Sequence, residues 1–246
     1  MRVTIRIATA AVGLAIYGWT GCGNAVRAAD PVPHPPVIAA EAVMPDEGFG
    51  AWYLRGDIGI AAPLAPGMSW QSASYGNRTA AGAANLGSGI GYRFNDTLRA
   101  DLTLDYLTSH AVKGYLSAAV ADRLTQDDTL LLANGYYDIG TFAGLTPYVG
   151  AGLGLARVDS DPLVRTVNGV NAFTFAGAIR YSLAAAAATG ISFDIGRGLQ
   201  ADVGYRFTWI GKTRTGAETT ATLPGTVGLG DNGVHQFRVG VRYSLD

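Results

Sequence analysis

The sequence predicts an all-β fold, an eight-stranded antiparallel up-and-down transmembrane β-barrel. Three observations predict it. Eight segments alternate between apolar residues and polar or small ones, their connections are alternately short and long, and the charged residues of these segments keep to one face. A run of 18 or more apolar residues does not occur beyond the N-terminal segment, so a helical membrane protein is not expected.

Residues 1–28 have the features of a secretory signal peptide. Arg2 and Arg6 give a positively charged start, residues 7–18 form an apolar stretch of signal-peptide length, and the small-residue site 26–28 follows. We expect cleavage after residue 28. The alternative is a lipoprotein modified at Cys22, which two small residues precede.

Residues 29–49 form a proline-rich segment that we expect to be a periplasmic linker, because repeated prolines favour extended, solvated backbone. Residues 50–246 then form the barrel. Removal of the signal peptide lowers the basic residues from 18 to 15 against 19 acidic ones, a net charge of −4, which argues against nucleic-acid binding. It also removes Cys22, the only cysteine, so no disulfide is expected.

Four segments alternate cleanly, at 52–60, 98–106, 199–209 and 236–243. In the first of them, Trp52, Leu54 and Ile58 share one face, whereas Arg55 and Asp57 share the other. Such an alternation is typical of a strand with two different environments on its two sides.

Four weaker segments complete the set, at 86–94, 129–139, 149–155 and 182–195. Glycines alternate with apolar residues in the first and third. The leucine triplet 130–132 and the alanine run 184–188 blur the alternation in the other two. The alanine run continues into an alternating Gly-Ile-Ser-Phe-Asp stretch, which favours a strand over a helix.

The connections predict the path of the chain. Tight turns are expected at 95–96, 140–144 and 196–198, and long polar or glycine-rich gaps near 63–82, 109–127, 159–177 and 211–232. Short and long connections alternate strictly, so the strands run up and down, with short periplasmic turns and four external loops.

The charged face of the strands is expected to line the interior of the barrel. A lipid-facing arginine near the midplane costs about 2–4 kcal/mol, whereas in a soluble β-sandwich the same face would meet water. An eight-stranded barrel is just wide enough to be filled by side chains, so we expect the charges to form a network that plugs the lumen. Its predicted members are Arg55, Asp57, Arg93, Arg99, Asp101, Asp105, Asp138, Asp194, Asp202, Arg206, Arg238 and Arg242.

Aromatic residues are expected to form two girdles at the membrane interfaces. If the first strand runs outward, the periplasmic girdle comprises Trp52, Tyr92, Phe94, Tyr137, Phe193 and Tyr243. The external girdle then comprises Tyr106, Phe207, Trp209 and Phe237. Aromatics scattered through a soluble β core would not need to cluster at strand ends.

Four stretches together resemble the small outer-membrane β-barrel (opacity-type porin) family of alphaproteobacteria. They are GAWYLRGDIG at 50–59, GYRFNDTLRADL at 91–102, TPYVGAGLG at 146–154 and FRVGVRYSLD at 237–246. The resemblance implies an eight-stranded barrel in the outer membrane of a Gram-negative cell, inserted by the barrel-assembly machinery. It also implies surface-exposed loops with roles in envelope integrity, surface antigenicity or ligand capture.

We therefore expect a structural or surface-interaction protein that works through its four external loops and is not an enzyme. One alternative is a narrow diffusion porin, because glycines on the lumen face of two segments leave space for water. The other is a lipid-modifying enzyme at the external rim, for which Ser109, His110 and His235 are the candidate residues. Solvated loop histidines are the simpler interpretation.

The expected partners are outer-membrane lipid and lipopolysaccharide, and an unidentified surface ligand at the loops. Lys113 and Lys212, the only lysines, lie in or beside long loops and are candidates for binding surface polysaccharide or anionic lipid. We expect no cofactor and no metal site. A dinucleotide-binding loop is excluded because the glycine-rich runs lie within strands and precede no amphipathic helix.

Overall fold

The structure is a computed structural model that describes residues 50–220, 222–223 and 225–245. The predicted signal peptide at 1–28, with Cys22, and the proline-rich segment at 29–49 lie outside the described residues.

The described residues form β-strands and no helix. The strands are β1 (Ala51–Pro63), β2 (Met68–Trp70), β3 (Ala73–Ser74), β4 (Gly76–Ala80), β5 (Ala83–Arg93), β6 (Leu98–Tyr115), β7 (Val120–Asp138), β8 (Leu145–Ser160), β9 (Leu163–Val167), β10 (Val170–Phe175), β11 (Ala178–Gly196), β12 (Leu199–Ile210), β13 (Thr213–Ala217), β14 (Thr226–Leu229) and β15 (Asn232–Ser244). Accordingly, the described part of the chain holds no helix able to span a membrane.

Eight of these strands pair antiparallel in a closed ring, in the order β1, β5, β6, β7, β8, β11, β12, β15 and back to β1. The first and last strands close the ring, since Leu54 of β1 lies opposite both Ile90 of β5 and Tyr243 of β15. The predicted all-β, eight-stranded up-and-down barrel is thereby confirmed.

The two faces of the wall differ as the alternation predicts. In β1, Tyr53, Arg55 and Asp57 are buried inside the ring, whereas Leu54 and Ile58 are exposed on its outside. A continuous outer surface of exposed Leu, Ile, Val and aromatic side chains surrounds the ring, which is the surface that a hydrocarbon layer requires.

Three tight turns join strands at one end, where β1 begins and β15 ends. The Asn95 side chain accepts hydrogen bonds from the backbone N–H groups of Thr97 at 2.9 Å and Leu98 at 2.7 Å, which holds the first turn. In the third turn Gly196, Arg197 and Gly198 have φ values of 85°, 59° and 72°. Glycine is suited to two of these three left-handed positions because it has no Cβ.

The prediction of a long loop at 109–127 is wrong. Strands β6 and β7 continue through it as a hairpin, and only residues 116–119 form the turn. Inward-facing Val112 and Leu124 are buried, but Lys113, Arg123 and Thr125 face outward and are polar, because the hairpin extends past the apolar belt into water. Because of these polar residues, the sequence of the hairpin resembles that of a loop.

The other three long gaps also contain strands, and together they build a cap. We use this term for β2, β3, β4, β9, β10, β13 and β14 with the outer ends of β6 and β7. Strands β4 and β9 extend the wall by pairing with β6 and β7, and β13, β14, β2 and β3 form a second sheet. The cap has an apolar core of Met68, Tyr75, Val112, Leu124, Leu163, Phe175, Val227 and Leu229.

The blurred segments extend further than predicted and have a simple explanation. Leu130 and Leu132 face inward and are fully buried, whereas Leu131 faces outward. Ala184 likewise faces inward in β11. Both faces of the wall are therefore apolar at this level, so the alternation that marks the other strands disappears.

We predict that Gly198→Val lowers the free energy of unfolding by about 1–3 kcal/mol, because a branched residue is strained at a φ of 72°. The matched control is Gly56→Ala, since a Cβ at Gly56 meets no atom within 4 Å. Urea unfolding of the refolded barrel in detergent measures both. Equal effects of the two substitutions would contradict the strained turn.

Candidate functional site: the barrel interior and the cap

The interior of the barrel is filled in layers, which the inward-facing residues of β6 display in order. From the tight-turn end, these residues are Arg99, Asp101, Thr103 and Asp105, then the apolar Leu107, then the polar His110. All six are buried. Beyond His110 the strand enters the apolar core of the cap.

Six inward-facing charged residues form a connected group that we call the central ionic cluster. It comprises Arg55, Asp57, Asp101, Asp105, Arg206 and Arg238. These residues come from β1, β6, β12 and β15, so the cluster joins strands on different sides of the ring. Three arginines and three aspartates balance its formal charge.

Each arginine of the central ionic cluster contacts at least one carboxylate. Arg55 lies 2.8 Å from Asp101 and 3.2 Å from Asp57. Arg206 donates to Asp105 at 2.8 Å.

Arg238 bridges Asp57 and Asp105. Its Nε donates to Asp57 at 2.7 Å and its Nη2 to Asp105 at 3.2 Å. Buried charges are tolerated when they are paired and hydrogen-bonded in this way.

Neutral polar residues complete the cluster, and sequence reasoning missed them. Tyr136 accepts a hydrogen bond from Arg55 at 3.0 Å, Asn134 donates to Asp101 at 2.8 Å, and Gln236 accepts from Arg206 at 2.7 Å. All three lie at inward-facing positions of β7 or β15. The alternation of the sequence places them on that face and could have identified them.

The other predicted interior charges fall into two groups. Arg99 pairs with Asp138 at 3.1 Å beneath the cluster, with its guanidinium over the rings of Tyr136 at 4.1 Å and Tyr148 at 4.8 Å. Arg242 lies 3.6 Å from Asp202. These four charged side chains are buried.

Arg93 and Asp194 are not brought into this buried network. Arg93 is half-buried and donates to Gln200 at 2.8 Å. Asp194 is exposed and accepts from the backbone N–H of Gly196 at 2.7 Å, so it stabilises a turn. Both lie at the tight-turn end, where the interior opens into a cavity of about 390 Å³.

An apolar layer crosses the lumen directly above the central ionic cluster. Its members are Ala61, Leu107, Leu130, Leu132, Ala156, Val158, Ala184, Ile210 and Val234, all buried. Every ring strand except β5 supplies at least one of them, and Ala83 of β5 packs against them. Sequence reasoning assigned apolar residues to lipid and missed this layer.

A buried polar layer separates this apolar layer from the cap. Asp128 is fully buried, and one of its carboxylate oxygens has no hydrogen-bond partner among the described residues. Gln126 donates weakly to its other oxygen at 3.4 Å. A small cavity next to Asp128, Gln126 and Asn232 leaves room for about one water molecule.

The two rim histidines do not come together as a catalytic group. His110 is buried inside the ring and contacts the carbonyl of Thr108 at 3.3 Å. His235 lies on the outward face, where it contacts the Tyr205 hydroxyl at 2.7 Å. In the described part of the chain, neither histidine is hydrogen-bonded to a serine or a carboxylate.

The cap contains a buried ion pair of its own, which the sequence interpretation missed because it treated these stretches as loops. Arg165 donates to Asp122 through Nε and Nη2, each at 2.8 Å, and to the Tyr75 hydroxyl at 2.6 Å. Its guanidinium lies over the rings of Trp70 at 4.4 Å and Phe175 at 4.9 Å. Burial and the hydrogen bond to Asp122 raise the pKa of Tyr75.

Glu218 organises the longest connection of the cap. Its carboxylate accepts hydrogen bonds from the Thr220 backbone N–H at 2.9 Å, the Thr220 hydroxyl at 2.7 Å and the Thr222 backbone N–H at 2.8 Å. These donors, the Thr220 backbone N–H first, lower the pKa of Glu218 to about 2. The ionised side chain thus ties Thr220 and Thr222 to Glu218 at neutral pH.

The aromatic residues predicted for the girdles all point outward. At the tight-turn end, Trp52 and Tyr92 stack edge to face at 5.1 Å, and Tyr92 and Phe94 at 5.2 Å. Tyr137, Phe193 and Tyr243 are exposed at the same end. At the cap end Tyr106, Trp209 and Phe237 are exposed, and Phe207 packs against His235 at 5.1 Å.

A closed antiparallel ring with an apolar outer surface and a charged interior defines a transmembrane β-barrel. Residues 36–244 match the family model of the outer membrane protein beta-barrel domain, and the chain belongs to this family. It is an outer-membrane protein. Outer-membrane barrels in general have short periplasmic turns and longer extracellular loops.

Similar proteins come from Brucella, Rickettsia and Neisseria. An uncharacterised protein of Brucella abortus is 29% identical over 289 residues, covering 96% of this chain and 98% of that protein. A candidate adhesin of Rickettsia prowazekii is 28% identical over 208 residues, covering 79% and 87%. The crystal structure of Neisserial surface protein A aligns with 22% identity and a TM-score of 0.43, covering 79% of this chain and 97% of that one.

We predict that Asp105→Asn lowers the free energy of unfolding by about 3–5 kcal/mol, because Arg206 and Arg238 would lose a shared buried carboxylate. Asp231→Asn is the matched control, since Asp231 is exposed in the cap and makes no ion pair among the described residues. Urea unfolding in detergent compares them. A shift of the same size for Asp231→Asn would contradict the role of the cluster.

We predict that Glu218→Gln speeds trypsin cleavage after Lys212 and Arg214 at neutral pH, because an uncharged amide accepts weaker hydrogen bonds than a carboxylate. The slower migration of the heated barrel on gels stays unchanged and serves as the folding control. Unchanged cleavage would show that Glu218 does not order this connection.

The same interaction predicts a pH dependence. Because the pKa of Glu218 is lowered in the folded state, its stabilising effect is complete above its ordinary value of 4.5 and disappears as pH falls towards about 2. Pepsin digestion of the wild type between pH 4 and pH 2 should therefore reach residues 211–231 at the acidic end. Glu218→Gln should lose most of this pH dependence.

Proposed function

We propose that this protein is a non-conducting, non-enzymatic outer-membrane barrel that presents an ordered cap for surface interactions. The observation that carries the proposal is the apolar core of the cap, in which residues from four connections pack together. Loops held by a buried core form a defined surface, and a defined surface binds partners with less loss of conformational entropy than mobile loops do.

The filled interior supports a closed lumen. A permeating solute would have to cross the central ionic cluster, the apolar layer and the cap core in series. Water and ions are disfavoured in the second of these because it offers no polar side chain. The proposed plug therefore contains two apolar layers in addition to the Arg/Asp network expected from the sequence.

The lumen-facing glycines support the same proposal. A Cβ at Gly87 would lie 2.6 Å from carboxylate oxygens of both Asp57 and Asp105. A Cβ at Gly91 would overlap the Tyr53 ring, and one at Gly150 the Tyr136 ring. These glycines accommodate the side chains that fill the interior, so the space that motivated the porin alternative is occupied.

The separation of His110 from His235 supports a non-enzymatic role, since one faces the interior and the other faces outward. The candidate adhesin of Rickettsia prowazekii agrees with a surface-interaction role. We also propose, as the sequence suggested, that lipopolysaccharide and outer-membrane lipid surround the barrel and that the barrel-assembly machinery inserts it.

The closed lumen is tested by single-channel recording of the refolded protein, residues 29–246, in planar bilayers. We expect no reproducible open-channel steps from protein whose gel mobility shifts on heating, because three filled layers block the path. Reproducible steps from such folded protein would favour the narrow diffusion porin. A conducting porin measured in the same bilayers is the positive control.

The surface role is tested by displaying the protein on a heterologous Gram-negative cell and measuring retention on a mammalian cell monolayer. We expect retention above that of cells with an empty vector. The matched control replaces residues 163–175, the β9–β10 hairpin, by a short Gly-Ser turn, which disrupts the cap while the barrel stays heat-modifiable. Equal retention of both proteins and the empty vector would contradict a surface-interaction role.

A further inference from the structure

A cleft lies on the outward side of the wall extension, where β6, β7, β9 and β10 form one continuous sheet. Register places Lys113 opposite Arg123, and Arg123 opposite Val164. The next row outward runs from Tyr115 through Ala121 and Thr166 to Asn171. Small residues between larger ones make this face concave, and the cleft has a volume of about 540 Å³.

Two cations face each other at the centre of the cleft. Lys113 and Arg123 are exposed, directly opposite in register, and neither forms an ion pair or a side-chain hydrogen bond with any residue that the structure describes. Like charges directly opposite each other on a sheet face destabilise it. An anion between them would turn this repulsion into attraction, and a phosphate could accept hydrogen bonds from both side chains.

The remaining lining residues suit a sugar. Tyr115 is 46% exposed, so its ring offers an apolar face for stacking. Asn171 and the exposed carboxylate of Asp161 supply donors and acceptors for hydroxyl groups. Asp161 also repels a bare anion, which favours a ligand that carries hydroxyls next to its phosphate over inorganic phosphate.

The position of the cleft indicates the source of that sugar. The apolar outward face of β7 ends at Leu131, and the next outward residue, Thr129, lies opposite the girdle residue Tyr106. Arg123 lies six residues beyond Thr129 on the same face. At about 3.3 Å per residue and a strand tilt of about 40°, six residues correspond to about 15 Å along the barrel axis. The cleft therefore faces sideways, above the lipid headgroups of the outer leaflet, rather than towards the outer tip of the cap.

We propose that the cleft of Lys113, Tyr115, Arg123, Asp161 and Asn171 binds a phosphorylated sugar of the lipopolysaccharide core in the surrounding outer leaflet. Lys113 and Arg123 bind the phosphate, and Tyr115 stacks on the sugar ring. This inference rests on the placement of the chain in the outer membrane. It does not depend on the surface-interaction role of the cap, and either can fail alone.

The test measures binding of a delipidated, phosphorylated lipopolysaccharide core oligosaccharide to the full mature protein in phospholipid nanodiscs, by calorimetry. We expect Lys113→Gln/Arg123→Gln to weaken binding at least about tenfold, since two charge-assisted hydrogen-bonding groups are lost. Lys212→Gln/Arg214→Gln is the matched control, because it removes two exposed cations of the cap outside the cleft. We expect this control to bind like the wild type.

Two further arms separate the contributions. Tyr115→Ala should weaken binding of the core oligosaccharide without changing the net charge, and the enzymatically dephosphorylated oligosaccharide should bind weakly to every variant. Equal weakening in both double variants would overturn the proposal, because it would indicate general charge attraction. Absence of wild-type binding would also overturn it, as would binding of a sulfated polysaccharide alone, which would indicate a ligand from outside the membrane.

Discussion

Charge inside this barrel is neutralised almost entirely by other inward-facing side chains, because one face of each strand meets lipid and the other meets a narrow, filled interior. The central ionic cluster satisfies this constraint with three arginines and three aspartates from four strands. Glycines opposite the largest side chains provide the space, as Gly91 does for Tyr53. Inward-facing glycines such as Gly87, Gly91 and Gly150 follow from that packing requirement.

The fold could be predicted because the outward face obeys a strict rule. Lipid excludes charge from every outward-facing position within the membrane, so the alternation around Arg55 and Asp57 identifies both the strand and its orientation. The rule weakens where the inward face is apolar too, at Leu130 and Leu132, and there the sequence left the strand limits blurred. It fails beyond the membrane, where the outward face meets water and the hairpin around Lys113 and Arg123 resembled a loop.

The candidate site was predictable to a different degree. Ten of the twelve predicted charges are buried in the interior, because side chains at alternate positions of a strand point into the barrel and lipid excludes charge from the opposite face. Their neutral partners, such as Asn134 and Gln236, carry no charge signal. The ion pair of Arg165 and Asp122 could not be predicted from the sequence. The two residues are 43 positions apart and meet only because two separate connections fold onto one another.

The ring closes where β1 meets β15, and that seam carries a consequence for assembly. Asp57 and Arg238 meet across it although 181 residues separate them in the chain. A seam slipped by two residues towards the cap would place Arg238 opposite Ala61, against the apolar layer and away from its carboxylate partner, whereas a slip in the other direction would place it opposite Asp57. Charge pairing across this seam therefore disfavours slippage in the direction that would move Arg238 into the apolar layer.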